Sequence, residues 1–275
     1  MLAIVLGLGT SVAYGVSNFL GPQLSRRHTL ATVLLVSQVA ALAGAVAIVL
    51  ASGNAAPPAR AVWLGLAAGV GNILGLATFY RAAELGPVSI AAAIGATGTV
   101  LPVVFGLATG DELSATEAAG IVIALSGAVL AAQRGGTVEI SAEAATWAAV
   151  SAVGFGGFLI ALPEAADDGI AWALLDARIA VVLLLAAGLL VLRAPVAAPA
   201  RRVPLLSVPG LLLLLGTLLY AEATHHGLIS VVSVLASLAT VVTATLSYVV
   251  LHERLSTIQR VGIVLATLGV VLLAL

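Results

Sequence analysis

The sequence predicts an all-α integral membrane protein, with ten transmembrane helices as two inverted five-helix repeats around a central cavity. Three observations predict it. The 275 residues are 61% hydrophobic and only 8% charged, where soluble domains run near ~25% charged, so lipid must solvate most of the chain. The apolar residues fall into ten stretches of roughly 18–23, the length that crosses a ~30 Å hydrocarbon core. The two halves also align with each other at a near-constant offset of about 140 residues.

The spans lie near Leu2–Leu20, Leu30–Ala51, Val62–Leu85, Val88–Thr109, Thr116–Gln133, Ala144–Leu162, Ile170–Leu192, Leu205–His225, Leu228–Leu251 and Ile258–Leu275. The first lacks the basic flank and cleavage pattern of a signal peptide and reads as a helix of the mature protein. Breaks between spans carry turn residues: Ser52 to Pro58, Gly135-Gly136, Pro163 with Asp167 and Asp168, and Pro195 to Pro204. The spans are apolar on every side, without the alternation that a barrel strand needs. The chain has no cysteine, hence no disulfide or thiolate metal site, and its eleven basic residues, all arginine, leave a net charge of −1. That balance gives nucleic acid no basic face. No cofactor and no metal site is expected; the expected partners are membrane lipid and a small-molecule substrate, with a monomer sufficient.

The repeat is clearest at its ends. Glu112, Leu113, Ser114 and Gly120 through Gly127 correspond to Glu253, Leu255, Ser256 and Gly262 through Gly269. Tyr80 matches Tyr220, Leu34 to Gln38 lies over Leu174 to Arg178, and Ala13 to Leu20 faces Ala152 to Leu159. The halves are residues 1–134 and 141–275. Five spans per half is an odd number, so the second half must enter the membrane from the opposite side. Inverted repeats let a fold exchange two related shapes and open a midplane site alternately to each side. Ser114-x-x-Glu117 and Ser256-x-x-Gln259 are capping-box patterns that start the fifth and tenth helices. Glu112 and Glu253 add negative charge near those helix starts.

These residues carry a family resemblance. Pro102 in the fourth span, then Asp111-Glu112-Leu113-Ser114, Gly120 and Gly127, and again His252-Glu253-Arg254-Leu255-Ser256, Gly262 and Gly269, resemble the drug/metabolite transporter superfamily with two tandem EamA-type domains. The second copy departs at the proline, with Val241 to Thr243 in its place. The resemblance covers the whole chain and implies a multi-pass protein of the cell membrane, not an enzyme. Helices 1, 3, 4, 6, 8 and 9 would line its cavity. Members carry amino acids, other metabolites, nucleotide sugars or toxic cations, so the motifs mark a scaffold without naming a substrate.

Polar groups at membrane depth are the candidate site residues, because each needs a partner, water or a function. Tyr14, Ser17 and Asn18, then Asn72 and Tyr80, then Tyr220, Ser233 and Ser237 are the substrate-binding candidates, with Phe155 as an apolar wall beside Phe158. Ser230 and Thr240 extend the hydroxyl stripe of the ninth span. Hydroxyls at such spacing serve equally as helix–helix hydrogen bonds. Glu222, His225 and His226 share one face at spacings of three and four, either as a polar helix end or as a protonatable site. Asp176 and Arg178, two residues apart, point to different faces and suggest gating or architecture. Arg81 and Glu84 are a turn apart and able to pair.

Nine arginines follow odd-numbered spans and only Arg60 follows an even one. Positive-inside bias then puts both termini outside, whereas the resemblance implies cytoplasmic termini. The leading expectation is a secondary transporter, exporter or exchanger, of a small metabolite or amphipathic molecule. Alternatives are a lipid flippase, a non-transporting membrane subunit, or a membrane-embedded enzyme. ATP-driven transport is set aside, since the chain has no G-x-x-x-x-G-K-[ST] loop.

Overall fold

The computed structural model describes residues 1–85, 94–132, 141–252 and 256–274, with the side chains of Tyr80, Ala83 and Glu84 outside that description. Glu253, Leu255, the Gly135-Gly136 break and the expected span ends Val88, Gln133 and Leu275 also lie outside it. The described residues form ten helices and no strand: α1 (Leu2–Ser25), α2 (Leu30–Ser52), α3 (Ala59–Leu85), α4 (Ile94–Thr109), α5 (Ala115–Ala132), α6 (Ala142–Ala166), α7 (Ile170–Val191), α8 (Val203–His225), α9 (Ile229–Leu251) and α10 (Thr257–Leu273). Helices satisfy backbone hydrogen bonds internally, which lipid cannot do. Eight are long and apolar enough to cross a membrane; α4 and α10 are shorter apolar helices.

Two helices run further than their prolines suggested. α1 continues through Pro22 to Ser25, and α6 through Pro163 to Ala166. A helix-interior proline leaves the carbonyl four residues back without its donor. For Pro163 that carbonyl belongs to Leu159, and the Tyr220 hydroxyl of α8 donates to it at 2.7 Å. The replacement bond lets α6 carry on.

Both expected capping boxes form. Glu117 N–H donates to Ser114 Oγ at 3.2 Å while Ser114 N–H donates to Glu117 Oε2 at 2.8 Å. Gln259 and Ser256 repeat the pair at 3.2 and 3.0 Å. Ser114→Ala and Ser256→Ala are each expected to cost ~1 kcal/mol, read as a lower melting temperature in detergent.

Helices pack through small residues, as expected where lipid supplies no hydrophobic drive between them. α5 and α10 cross on four glycines. A methyl group at Gly127 would meet Gly262 O at 2.7 Å, and one at Gly262 would meet Gly127 O at 2.8 Å. Gly120 faces Gly269 O, and Gly269 faces Ala124 in return. Elsewhere Gly210 of α8 lies on the Ser37 backbone of α2, and Gly69 of α3 on the Ala177 backbone of α7. α3 packs along α6, with Arg60 and Glu164 3.1 Å apart at one end and Arg81 and Glu143 3.8 Å apart at the other. The expected Arg81–Glu84 pair falls on the Glu84 side chain, outside the described residues.

Candidate functional site

Two helices lose regularity midway. In α4 the segment Thr97–Thr99 is a 3-10 turn, and in α9 the helix breaks at Leu238. Hydroxyls at both places bond to preceding carbonyls, a bond that competes with the α-helical ladder. Thr97 donates to Ile94 O at 2.6 Å and Thr99 to Ala96 O at 2.9 Å. Ser237 donates to Val234 O at 2.7 Å and Thr240 to Ser237 O at 3.0 Å. Glycines bring neighbours close at these points: Gly98 meets Ala152 of α6, and Gly15 of α1 meets Ala239 O of α9. A groove of about 380 Å³ opens beside the α4 break, lined by Ala96, Thr97, Val100, Leu125, Ser126, Val129 and Leu130.

Tyr220 and Ser233 are fully buried and bonded to each other at 2.7 Å. They join α8 to α9, while the Tyr220 hydroxyl also reaches α6 at Leu159. Ser237 is buried beside the α9 break. Ser17 donates to Pro209 O of α8 at 2.9 Å. Tyr14, half-buried, shares a 3.1 Å bond with Thr217 and lies on Gly216. Phe155 lies on Gly75 of α3 in the same manner. Asn72 is half-buried and Asn18 exposed. The side chain of Tyr80 lies outside the described residues.

Arg178 and Asp176 do point apart. The Arg178 guanidinium is buried among α2, α7 and α8, donating to Gln38 Oε1 at 3.1 Å, Thr217 Oγ1 at 2.7 Å and Leu213 O at 3.4 Å. Asp176 packs against Gly65 of α3. Arg178 Nε and Asp176 Oδ2 are buried without a hydrogen-bond partner among the described residues.

Glu222, His225 and His226 split between two contacts at the end of α8. Glu222 lies 3.2 Å from His226, while His225 turns to Asp167 at 3.6 Å. All are exposed or half-exposed, so each of these pairs is screened by solvent.

The residues that sequence reasoning missed are Thr97, Gly98, Thr99 and Thr217, together with Asp111. The Thr97-Gly98-Thr99 run was a visible signal, a cluster of turn-forming residues inside an apolar span.

Residues 143–275 match the EamA-like transporter family. No curated protein matches the chain. One solved structure, described only as a crystal structure of a protein, is similar over 98% of this chain and 95% of its own. The two share 20% identity at a TM-score of 0.77, a likeness of fold alone. The second half of the chain is thus an EamA-like transporter domain, consistent with the drug/metabolite transporter superfamily, in a multi-pass membrane protein.

Proposed function

We propose that the protein is a secondary transporter of a small metabolite or amphipathic molecule in the cell membrane, working by alternating access between two inverted five-helix repeats, residues 1–134 and 141–275. The paired breaks in α4 and α9 carry this reading. Thr97 and Leu238 are separated by the same interval, about 141 residues, that relates the halves in sequence. Interrupted helices at corresponding positions of two repeats are the usual mark of a midplane substrate site. Backbone groups at such breaks can bind a solute where they line a cavity and not lipid.

Reciprocal packing supports the inversion. Under the repeat, Gly120 and Gly127 correspond to Gly262 and Gly269, so the contact of Gly120 with Gly269 maps onto that of Gly262 with Gly127. Gly69 on Ala177 maps likewise onto Gly210 on Ser37, within one residue. Arg178 and Gln38, equivalent positions, touch each other. Such self-complementary contacts are what a two-fold axis between halves produces.

In this reading the substrate lies between the α4 and α9 breaks, against Tyr14, Ser17, Asn72, Phe155, Tyr220, Ser233 and Ser237. Asn18 and Tyr80 are placed with them by sequence. Arg178 and Asp176 serve gating, and Glu222 with His225 serves proton coupling. Export or exchange is the direction proposed, with ten crossings and both termini outside.

Counterflow tests the transport claim. Proteoliposomes preloaded with an unlabelled cellular metabolite extract are expected to accumulate at least one labelled component of the same extract transiently. If no component exchanges while the purified protein hydrolyses a lipid, the transporter reading falls. A C-terminal fluorescent fusion is expected to stay dark in the cytoplasm; bright cytoplasmic fluorescence would reverse the orientation.

A further inference from the structure

We propose that Asp111, Ser230 and Gly106 form a clasp that shuts one end of the pathway between α4 and α9. The proposal rests on the transport reading above and gives it a named closing contact. Gly110, at φ 113°, ends α4 and turns the chain so that Asp111 N–H bonds back to Gly106 O at 2.8 Å. The Asp111 carboxylate then reaches the start of α9, where Oδ2 accepts from Ser230 N–H at 3.0 Å and from Ser230 Oγ at 2.7 Å. Val103 O offers the Ser230 hydroxyl a second acceptor at 3.2 Å. A carboxylate at a helix N-terminus meets orphan amides and the positive end of the dipole, and bonds to a charged acceptor are the stronger kind.

Gly106 is what lets the two helices come this close. A Cβ there would collide with Asp111 Oδ2 and Ser230 Oγ and lie 2.7 Å from Ile229 Cγ2. Immediately inside the clasp Val103, Val231, Val234, Leu235 and Leu238 pack into one apolar cluster. Polar latch and apolar plug therefore lie in series.

The two ends of α9 differ sharply. Every residue from Ser230 to Ala239 is buried, and none from Thr240 to Leu251 is. His252 ends α9 at φ 54°, with its own N–H bonded back to Ser247 O. Its side chain is exposed and makes no hydrogen bond or ion pair among the described residues.

The absence of cysteine makes the test direct, since any cysteine introduced is a unique reporter. Ser237, whose hydroxyl bonds only within its own helix among the described residues, lies inward of the clasp. Ser237→Cys in oriented membrane vesicles is treated with a charged, membrane-impermeant thiol reagent from either face. Glu112→Cys, at an exposed neighbour of Asp111, identifies which face carries the clasp. From that face Ser237→Cys is expected to react slowly, and Asp111→Ala to raise the rate by about tenfold or more, the factor that ~1.4 kcal/mol makes in an equilibrium. Ser230→Ala is expected to raise it less, and Glu112→Gln not at all. Melting temperature is read on every variant. Asp111→Ala that melts lower yet labels no faster would make Asp111 a helix cap alone and overturn the clasp. If counterflow persists in the parent under that result, the transport reading stands and only the clasp falls; loss of counterflow in the parent removes the reading itself.

Discussion

Gly127→Leu is expected to lower the melting temperature of the detergent-solubilised protein by on the order of 2–12 °C, from ~1–3 kcal/mol of overpacking at ~2–4 °C per kcal/mol. Two effects compete. Leucine is the better helix former by nearly ~1 kcal/mol, which alone would stabilise α5. Against this, a side chain at Gly127 points into Ala266 N and Gly262 O, and backbone cannot rotate aside as a flexible side chain can. The obstruction therefore wins. Gly157→Ala and Gly188→Ala supply the comparison, because nothing lies within 4 Å of a Cβ at either. Both are expected to stay within ~0.5 kcal/mol of the parent. Heating followed by size-exclusion chromatography measures all three, and a Gly127→Leu protein that melts with the parent would deny the glycine crossing of α5 and α10.

What was legible in the sequence was local or periodic. Apolar stretches gave the helices, and the Ser-x-x-Glu/Gln spacing gave both capping boxes, because each bond spans only three residues. Tertiary pairings were hidden. Pro163 and Tyr220 were both visible, yet nothing in either predicts that the hydroxyl of one supplies the donor that the other removes. Helical spacing groups His225 with Glu222, and it is Asp167 on α6's C-terminal side that it meets. Position alone marks Glu112 as the carboxylate serving a helix N-terminus; Asp111 beside it serves one 119 residues away. Threonine and serine do not interrupt a hydropathy count, so the α4 and α9 breaks leave no trace in it. The alignment placed Gln38 opposite Arg178 as equivalent positions, and their direct bond is the structural addition.

That bond is the basis of the second large effect. Gln38→Leu is expected to destabilise by ~1.5–3 kcal/mol, the usual loss for a hydrogen bond to a charged group. The guanidinium already holds one buried nitrogen without a partner and would be left with Thr217 and Leu213 O alone. Removing the charge as well should reverse the outcome. A buried ionic group replaced by an apolar side chain of similar volume is often neutral or stabilising, whereas stripping its partner is not. Arg178→Met combined with Gln38→Leu is therefore expected to recover most of the stability that Gln38→Leu loses, with a coupling of ~1.5–3 kcal/mol in the double-mutant cycle. Equal costs of Gln38→Leu with and without Arg178 would show that the pair does not stabilise the fold. Counterflow in the recovered double variant then separates the two roles open to Arg178: exchange at the parent rate assigns it to holding α2, α7 and α8 together, and a stable protein that no longer exchanges assigns the charge itself to the transport cycle.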